Sequence, residues 1–206
     1  MIPGRVLAAA AVQAALVAIA VVWRSVDHGS AWHDGAPLGG THAIAVPLAL
    51  SVGALVGVVV VYVSRALVRA TTWGRRMHTT LREGLLGLNP DATALAVLAL
   101  TTAVGEEALF RGAALPAMVP HVGTAGAVAV SSVAFGVLHV PSSRRLLPWT
   151  ATACVMGVVF ALLYLATGEV LAPVAAHAII NYENLHFLLA NDLADPSVDG
   201  EHTAPA

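Results

Sequence analysis

Charged residues are scarce in this sequence. Asp, Glu, Lys and Arg make up 11% of its 206 residues, whereas soluble domains carry about 25%. Lysine is absent, and all ten basic residues are arginine. Together with 58% hydrophobic residues and a mean hydropathy of +0.80, this scarcity excludes a soluble domain and indicates a polytopic membrane protein. No basic patch is interleaved with aromatic residues, so we expect no nucleic-acid partner.

Cysteine is nearly absent as well. The single thiol, Cys154, excludes an internal disulfide, and its apolar surroundings indicate a packing role. The first apolar run, Val6–Trp23, is longer than the core of a signal peptide and is preceded by only one charge, Arg5. We therefore interpret this run as a retained anchor helix.

Long apolar runs are what the sequence does contain. A membrane span needs roughly 20 apolar residues, and six stretches meet this length, which predicts an all-α, polytopic transmembrane helical bundle of about six spans. The stretches cover residues 6–23, 43–63, 90–115, 122–140, 148–166 and 170–190.

The arginines suggest an orientation. With an even number of spans and a cytoplasmic N-terminus, only Arg24 faces outward, which agrees with the positive-inside rule. We therefore expect both termini in the cytoplasm. The cytoplasmic arginines would be Arg5 and those of two connections, namely Arg65, Arg69, Arg75, Arg76, Arg82, Arg144 and Arg145.

Three regions follow from this reading: two N-terminal helices with a basic connection over 1–89, a four-helix core over 90–190, and an acidic tail over 191–206 that we expect to be disordered. Part of the connection, 64–89, has the composition of a helix lying on the anionic inner leaflet. Within the second span, Gly53 and Gly57 form a G-x-x-x-G pattern, which favours close packing against another helix of the same chain.

The third span has marked ends. Asn89 and Pro90 form a favourable start, with Asn89 as N-cap and Pro90 in the first helical position. Pro116 and Pro120 are expected to end this helix, with the chain turning back at 121–123.

Ionisable residues within this span mark the first candidate site. Charges inside hydrocarbon are rare and suggest function. Glu107 and Arg111 are spaced i,i+4 and can pair on one helix face, whereas a buried ion pair alone would fit a purely structural role equally well. Glu106 points about 100° away from Glu107 and has no local partner in the sequence, which favours chemistry. We predict that Glu107 contacts Arg111 while Glu106 faces two histidines.

Those histidines lie on two later spans. His139 ends the fourth span, and His177 and Asn181 share one face of the sixth, a stripe that Asn184 continues. At 1.5 Å per residue, Glu106 and Asn181 both lie roughly 20 Å from the outer turns. We expect the polar residues of the three spans to converge on one water-accessible cavity that opens toward the cytoplasmic half, with His139 the most exposed of them.

Such a polar layer permits hydrolysis. A carboxylate and an imidazole within reach of one water can remove its proton. A second imidazole and an amide can donate hydrogen bonds to a developing oxyanion. No serine or cysteine nucleophile stands at a readable spacing from a base.

Three ordered motifs resemble those of the CPBP family of CAAX prenyl endopeptidases and bacteriocin-processing enzymes, also called Abi. They are Glu106-Glu107-x-x-x-Arg111, Phe135-x-x-x-His139 and His177-x-x-x-Asn181, and the resemblance covers about residues 90–190. No motif position departs from the family pattern. Glu183 and His186 lie beyond the motifs and receive no role.

The resemblance implies a metal-free intramembrane glutamic endopeptidase, with no cofactor, in the bacterial inner (cytoplasmic) membrane. Glu106 and His139 would activate water, and His177 with Asn181 would hold the oxyanion. Glu107 and Arg111 would support the site. The substrate would be a membrane-anchored or lipidated peptide or protein in the lipid bilayer.

Three alternatives remain open at the level of sequence. Glu106, His139 and His177 could instead bind zinc, although no H-E-x-x-H helix is present. The chain could also be a non-catalytic immunity or scaffold protein of the same fold. Buried Glu and His would further suit a proton-coupled transporter, but paired broken helices and visible repeats are missing from the sequence.

Overall fold

The computed structural model describes residues 3–26, 44–141, 146–191 and 193. All regular structure in these ranges is helical, which confirms the predicted all-α membrane bundle. The helices are α1 (Gly4–Val26), α2 (Val46–Ala70), α3 (Thr72–Leu86), α4 (Ala92–Glu107), a π-helical segment (Ala108–Ala114), α5 (Leu115–Val137), α6 (Leu147–Thr167) and α7 (Leu171–Ala190). Arg144, Arg145 and nearly all of the predicted outer connection and acidic tail lie outside the described residues.

Four helical stretches in the described ranges are long and apolar enough to cross a membrane, namely Gly4–Val26, Val46–Ala70, Ala92–Val137 and Leu147–Thr167. The third has 46 residues, or about 69 Å of helix, more than twice the hydrocarbon thickness of about 30 Å. This stretch is kinked at Gly123, whose φ of 71° and ψ of 167° are not helical, inside the predicted turn at 121–123. Pro116 and Pro120 lie within α5, so the prediction that they end the helix is wrong. α7 does not meet the same criterion, so the count of six spans stays a prediction.

The predicted start of the third span is wrong. Asp91, and not Asn89, is the N-cap of α4, because its carboxylate accepts a hydrogen bond from the Ala94 N–H at 2.8 Å. Asn89 takes a left-handed φ of 45° in the turn before it, and Pro90 precedes the helix. Asp and Asn are both good N-caps, so the sequence alone does not rank Asp91 above Asn89.

The basic connection is also divided differently from the prediction. α2 runs on to Ala70, and a new helix, α3, begins after Thr71, whose hydroxyl accepts from the Gly74 N–H at 3.1 Å. Only α3 therefore corresponds to the predicted surface helix.

Small residues bring α2 against α7. A Cβ atom added at Gly57 would lie 2.9 Å from the Ala176 carbonyl oxygen, and one added at Gly53 would overlap the Ala172 carbonyl oxygen. Ala172 and Ala176 repeat the four-residue spacing of the glycines, so two stripes of small residues face each other. The predicted close packing within the chain is confirmed.

α1 reaches α4 by a similar close approach. A Cβ atom at Gly105 would lie 2.8 Å from the Gln13 backbone oxygen. Gly105 directly precedes the two glutamates, so α1 supports the helix that carries them. The two N-terminal helices thus pack directly on the helices that hold the polar residues.

We expect Gly53→Ala to lower the thermal midpoint of unfolding in detergent micelles. Its methyl group would overlap the Ala172 carbonyl, and overpacking costs about 1–3 kcal/mol. Gly84→Ala in α3 is the matched control, because a Cβ atom there meets no atom within 4 Å. Equal midpoints for the two variants would contradict the tight α2–α7 contact.

Candidate active site

The helix that carries the glutamates changes winding directly after them. Residues Ala108–Ala114 are π-helical, and the Leu115 N–H donates to the Phe110 oxygen five residues earlier. Such segments are rare and occur frequently at functional sites. The sequence predicts a regular α-helix here, and no residue pattern in the stretch marks the change.

Glu107 and Arg111 form the predicted pair across this junction. Both side chains are fully buried, and Arg111 Nη1 lies 3.1 Å from Glu107 Oε2. Arg111 Nη2 also donates to the Gly157 carbonyl of α6 at 2.8 Å. Its guanidinium lies 4.7 Å from the ring centre of Phe135 and faces two further rings, a favourable cation–π setting.

His177 joins the same pair from α7. Its Nδ1 lies 2.8 Å from Glu107 Oε1, and since a carboxylate only accepts, Nδ1–H is the donor. The ring stacks on Phe160 at 4.8 Å. Glu106 interacts electrostatically with His177 as well as with His139, but the direct hydrogen-bond partner of His177 is Glu107, which the prediction did not name. Spacing along α4 gives the direction of each glutamate about the axis, but not which later helix lies there.

Glu106 faces His139 of the second motif. Glu106 Oε2 lies 3.7 Å from His139 Nε2, and among the described residues this buried oxygen has no hydrogen-bond partner. The other ring nitrogen of His139, Nδ1, is 2.7 Å from the Phe135 carbonyl oxygen. A carbonyl only accepts, so Nδ1 carries a proton, and in the neutral ring Nε2 presents a lone pair to Glu106.

The last turn of α5 positions His139. Its backbone N–H donates to the Gly136 oxygen at 2.9 Å, and its carbonyl accepts from the Thr150 hydroxyl at 3.0 Å. The end of α5 and the start of α6 therefore hold the imidazole from both sides. Trp149 lies near the ring, at 6.4 Å between centres.

A cavity of about 320 Å³ lies beside these groups. His139, His177 and Asn181 line it, and Glu106 is not among its lining residues. Three of the four side chains that were predicted to converge therefore line the cavity. The fourth, Glu106, lies next to one of them, His139. The side chain of His139 is 20% exposed, against 11% for Glu106 and 6% for His177. The remaining wall is largely apolar, with Leu98, Ala99, Phe135, Trp149, Ala153, Met156, Phe160, Ile180, Leu185 and Leu188 among its residues.

Glu183 and His186, which received no role from the sequence, have defined contacts in the structure. Glu183 pairs with Arg65 of α2 at 2.7 Å, and His186 packs edge-on against Tyr182. Both contacts lie outside the Glu106–His139 region. The arginine partner of Glu183 is 118 residues away in sequence, beyond the reach of any local pattern.

The alternative zinc set does not form in this arrangement. Across the ranges that the structure describes, no group of three His, Cys, Asp or Glu side chains is placed to hold a metal ion. Glu107 holds His177 by Nδ1, and Glu106 Oε2 lies 3.7 Å from His139 Nε2.

The family model described as Rce1-like, type II CAAX prenyl endopeptidase Rce1-like, matches residues 89–182. All residues of the three motifs lie within this match. No curated protein and no solved structure matches the chain.

We expect Arg111→Met to destabilise the protein by about 3–5 kcal/mol, because it leaves the buried Glu107 carboxylate uncompensated. The double variant Glu107→Gln, Arg111→Met removes both charges and should recover part of this loss. Denaturant titration in mixed micelles measures both.

Glu183→Gln is the matched control, because it breaks a partly exposed pair worth about 0–1 kcal/mol. The single variant Glu107→Gln completes the comparison. If Glu107→Gln lowered stability by the same amount in the Arg111→Met background as in the wild-type protein, the two side chains would not be coupled.

Proposed function

Residues 89–182 belong to the CPBP family of CAAX-type proteases, and from this premise we propose that the chain is an intramembrane endopeptidase of the glutamic type. It would hydrolyse a peptide bond in a lipidated or membrane-anchored peptide or protein. We further propose the bacterial inner membrane as its location, with both termini in the cytoplasm. Residues 90–190 would be the catalytic core, supported by α1 and α2.

One observation carries the mechanism: two hydrogen-bond acceptors face each other at 3.7 Å. Glu106 Oε2 and the lone pair of His139 Nε2 cannot bond to each other without a shared proton. A water molecule can donate one hydrogen to each, and a polar separation above 3.5 Å suits such a bridge. A water held by both hydrogens presents its oxygen lone pairs to an incoming carbonyl carbon.

The proposed reaction then follows general acid–base catalysis. Glu106 takes a proton from the water, and the oxygen bonds to the scissile carbonyl carbon while the carbonyl oxygen becomes an oxyanion. The tetrahedral intermediate collapses as the carbon–nitrogen bond breaks. The proton held by Glu106 passes to the leaving amine, and a carboxylic acid and an amine are released.

His177 and Asn181 are the proposed oxyanion donors. Both line the cavity, one helical turn apart. Because Nδ1–H of His177 is directed at Glu107, donation to the oxyanion requires a proton on Nε2, that is, an imidazolium. Glu107 can support that charge, and the buried set of Glu106, Glu107, Arg111 and His177 is then neutral in sum, which lowers the desolvation penalty of the cluster.

The cavity wall supports the proposed substrate class. Leucine, methionine and aromatic side chains form most of it, and a few polar side chains lie among them. An uncharged, apolar peptide or a lipidated one would bury its surface here, with a few hydrogen bonds fixing its position.

We expect Glu106→Gln to reduce turnover of a fluorescence-quenched farnesylated CAAX peptide by about 10²–10⁴-fold, since the amide cannot accept the water proton. The thermal midpoint should change little, because Glu106 is outside the Glu107–Arg111 pair. Glu83→Gln, an exposed glutamate of α3, is the control and should keep full activity. Near-normal turnover of Glu106→Gln would reject this residue as the base.

We expect 1,10-phenanthroline to leave turnover unchanged, because the water is activated by Glu106 and His139 and not by a metal. Metal content of the purified protein, measured by mass spectrometry before and after chelation, is the companion measurement. Stoichiometric zinc that is lost together with activity would overturn the glutamic mechanism.

A further inference from the structure

α7 carries a third polar side chain into the cavity. His177, Asn181 and Asn184 are spaced i,i+4,i+7, so they lie on one helix face, and all three line the cavity. Asn184 lies beyond the family match, which ends at 182. It stands among apolar lining residues, with Leu185 and Leu188 on its own helix.

Asn184 is held by α2. Its side-chain oxygen lies 3.4 Å from the Ser64 hydroxyl, whose single proton is shared between this oxygen and the Val61 carbonyl at 2.9 Å. With one end of the planar amide against Ser64, the other end remains for the cavity. Because the carbonyl oxygen faces Ser64, the end that remains is the NH₂ group, a donor that can bond to a backbone carbonyl of a peptide.

The neighbouring residue fixes the same turn of α7. Glu183 accepts a salt bridge from Arg65 at 2.7 Å, and Arg65 also donates to the Glu183 backbone oxygen at 2.8 Å. The guanidinium of Arg65 lies 5.2 Å from the ring centre of Phe187, one turn further along. Asn184 is therefore presented from a turn of α7 that is tied to α2.

The position of Asn184 corresponds to the spacing of an extended peptide. From the level midway between His177 and Asn181 to Asn184 is five residues, or about 7.5 Å along the helix. An extended chain advances about 3.3 Å per residue, so this distance spans about two residues.

We infer that Asn184 is a substrate-positioning residue that hydrogen-bonds the backbone of an extended peptide about two residues from the scissile bond. This inference rests on the proposed function for the position of that bond. The polar residues of α7 would then contact the peptide backbone, and the apolar lining residues would contact the substrate side chains.

The test uses the full-length protein in micelles and the farnesylated CAAX peptide. Asn184→Leu keeps the size of the side chain and removes its hydrogen bonds. We expect a rise in KM of about 3- to 10-fold with kcat nearly unchanged, the effect of one hydrogen bond. Asn191→Leu, at the end of the same helix, is the matched control and should leave KM unchanged.

Two ester analogues of the peptide separate direct contact from a structural effect. Each replaces one backbone amide two residues from the cleaved bond, on either side of it. Wild-type protein should disfavour one analogue by about the same 3- to 10-fold factor, and Asn184→Leu should treat that analogue and the parent peptide alike, the signature of a coupled pair. An unchanged KM, or full ester discrimination in Asn184→Leu, would overturn the inference and leave the proposed function intact.

Two further arms cover the other outcomes. If Asn184→Leu does not fold, Asn184→Ser shortens the side chain without adding an apolar group, and the same criteria apply. If wild-type protein shows no turnover, the proposed function fails, and the inference is judged by anisotropy with a fluorescein-labelled peptide on the Glu106→Gln background. A 3- to 10-fold weaker binding with Asn184→Leu supports it, and equal or absent binding rejects it.

Discussion

The buried ion pair of Glu107 and Arg111 is the interaction on which the rest of the site depends. Two charges without solvent need close partners on every side, and this pair finds them on several helices. Arg111 reaches the Gly157 carbonyl of α6 and the aromatic ring of Phe135 on α5, while Glu107 accepts from His177 on α7. Satisfying the pair therefore fixes how α5, α6 and α7 stand around α4, and it orients His177 as a result.

The adjacent glutamates consequently have different surroundings despite identical chemistry. Glu107 is neutralised and held by a cation and an imidazole, and it can do little beyond holding them. Glu106 Oε2 lies 3.7 Å from His139 Nε2, and His139 lines the cavity. The about 100° turn between successive helical residues is enough to give the two carboxylates different partners.

Local rules predicted a good part of this arrangement. The Glu107–Arg111 contact follows from i,i+4 spacing, the turn at Gly123 from the prolines and glycine around it, and the α2–α7 approach from Gly53 and Gly57. Sequence patterns did not reveal the contacts whose partners are distant in the chain, such as His177 with Glu107 and Glu183 with Arg65. The π-helical winding after Glu107 is a compromise among packed neighbours, and it leaves no signature in the residues that adopt it.

The contact of small residues between α2 and α7 has a consequence for the size of the catalytic unit. The stretch that matches the Rce1-like family model begins after α3 and ends inside α7. It therefore omits Gly53 and Gly57, which pack against Ala172 and Ala176, the latter directly before His177. It also omits Gln13, which borders Gly105. A fragment limited to that stretch would keep every motif residue. It would lose the α2 contact that precedes His177 and the α1 contact at Gly105, which precedes Glu106. The stretch that matches the family model is therefore shorter than the stretch that supplies the packing contacts around its motif residues.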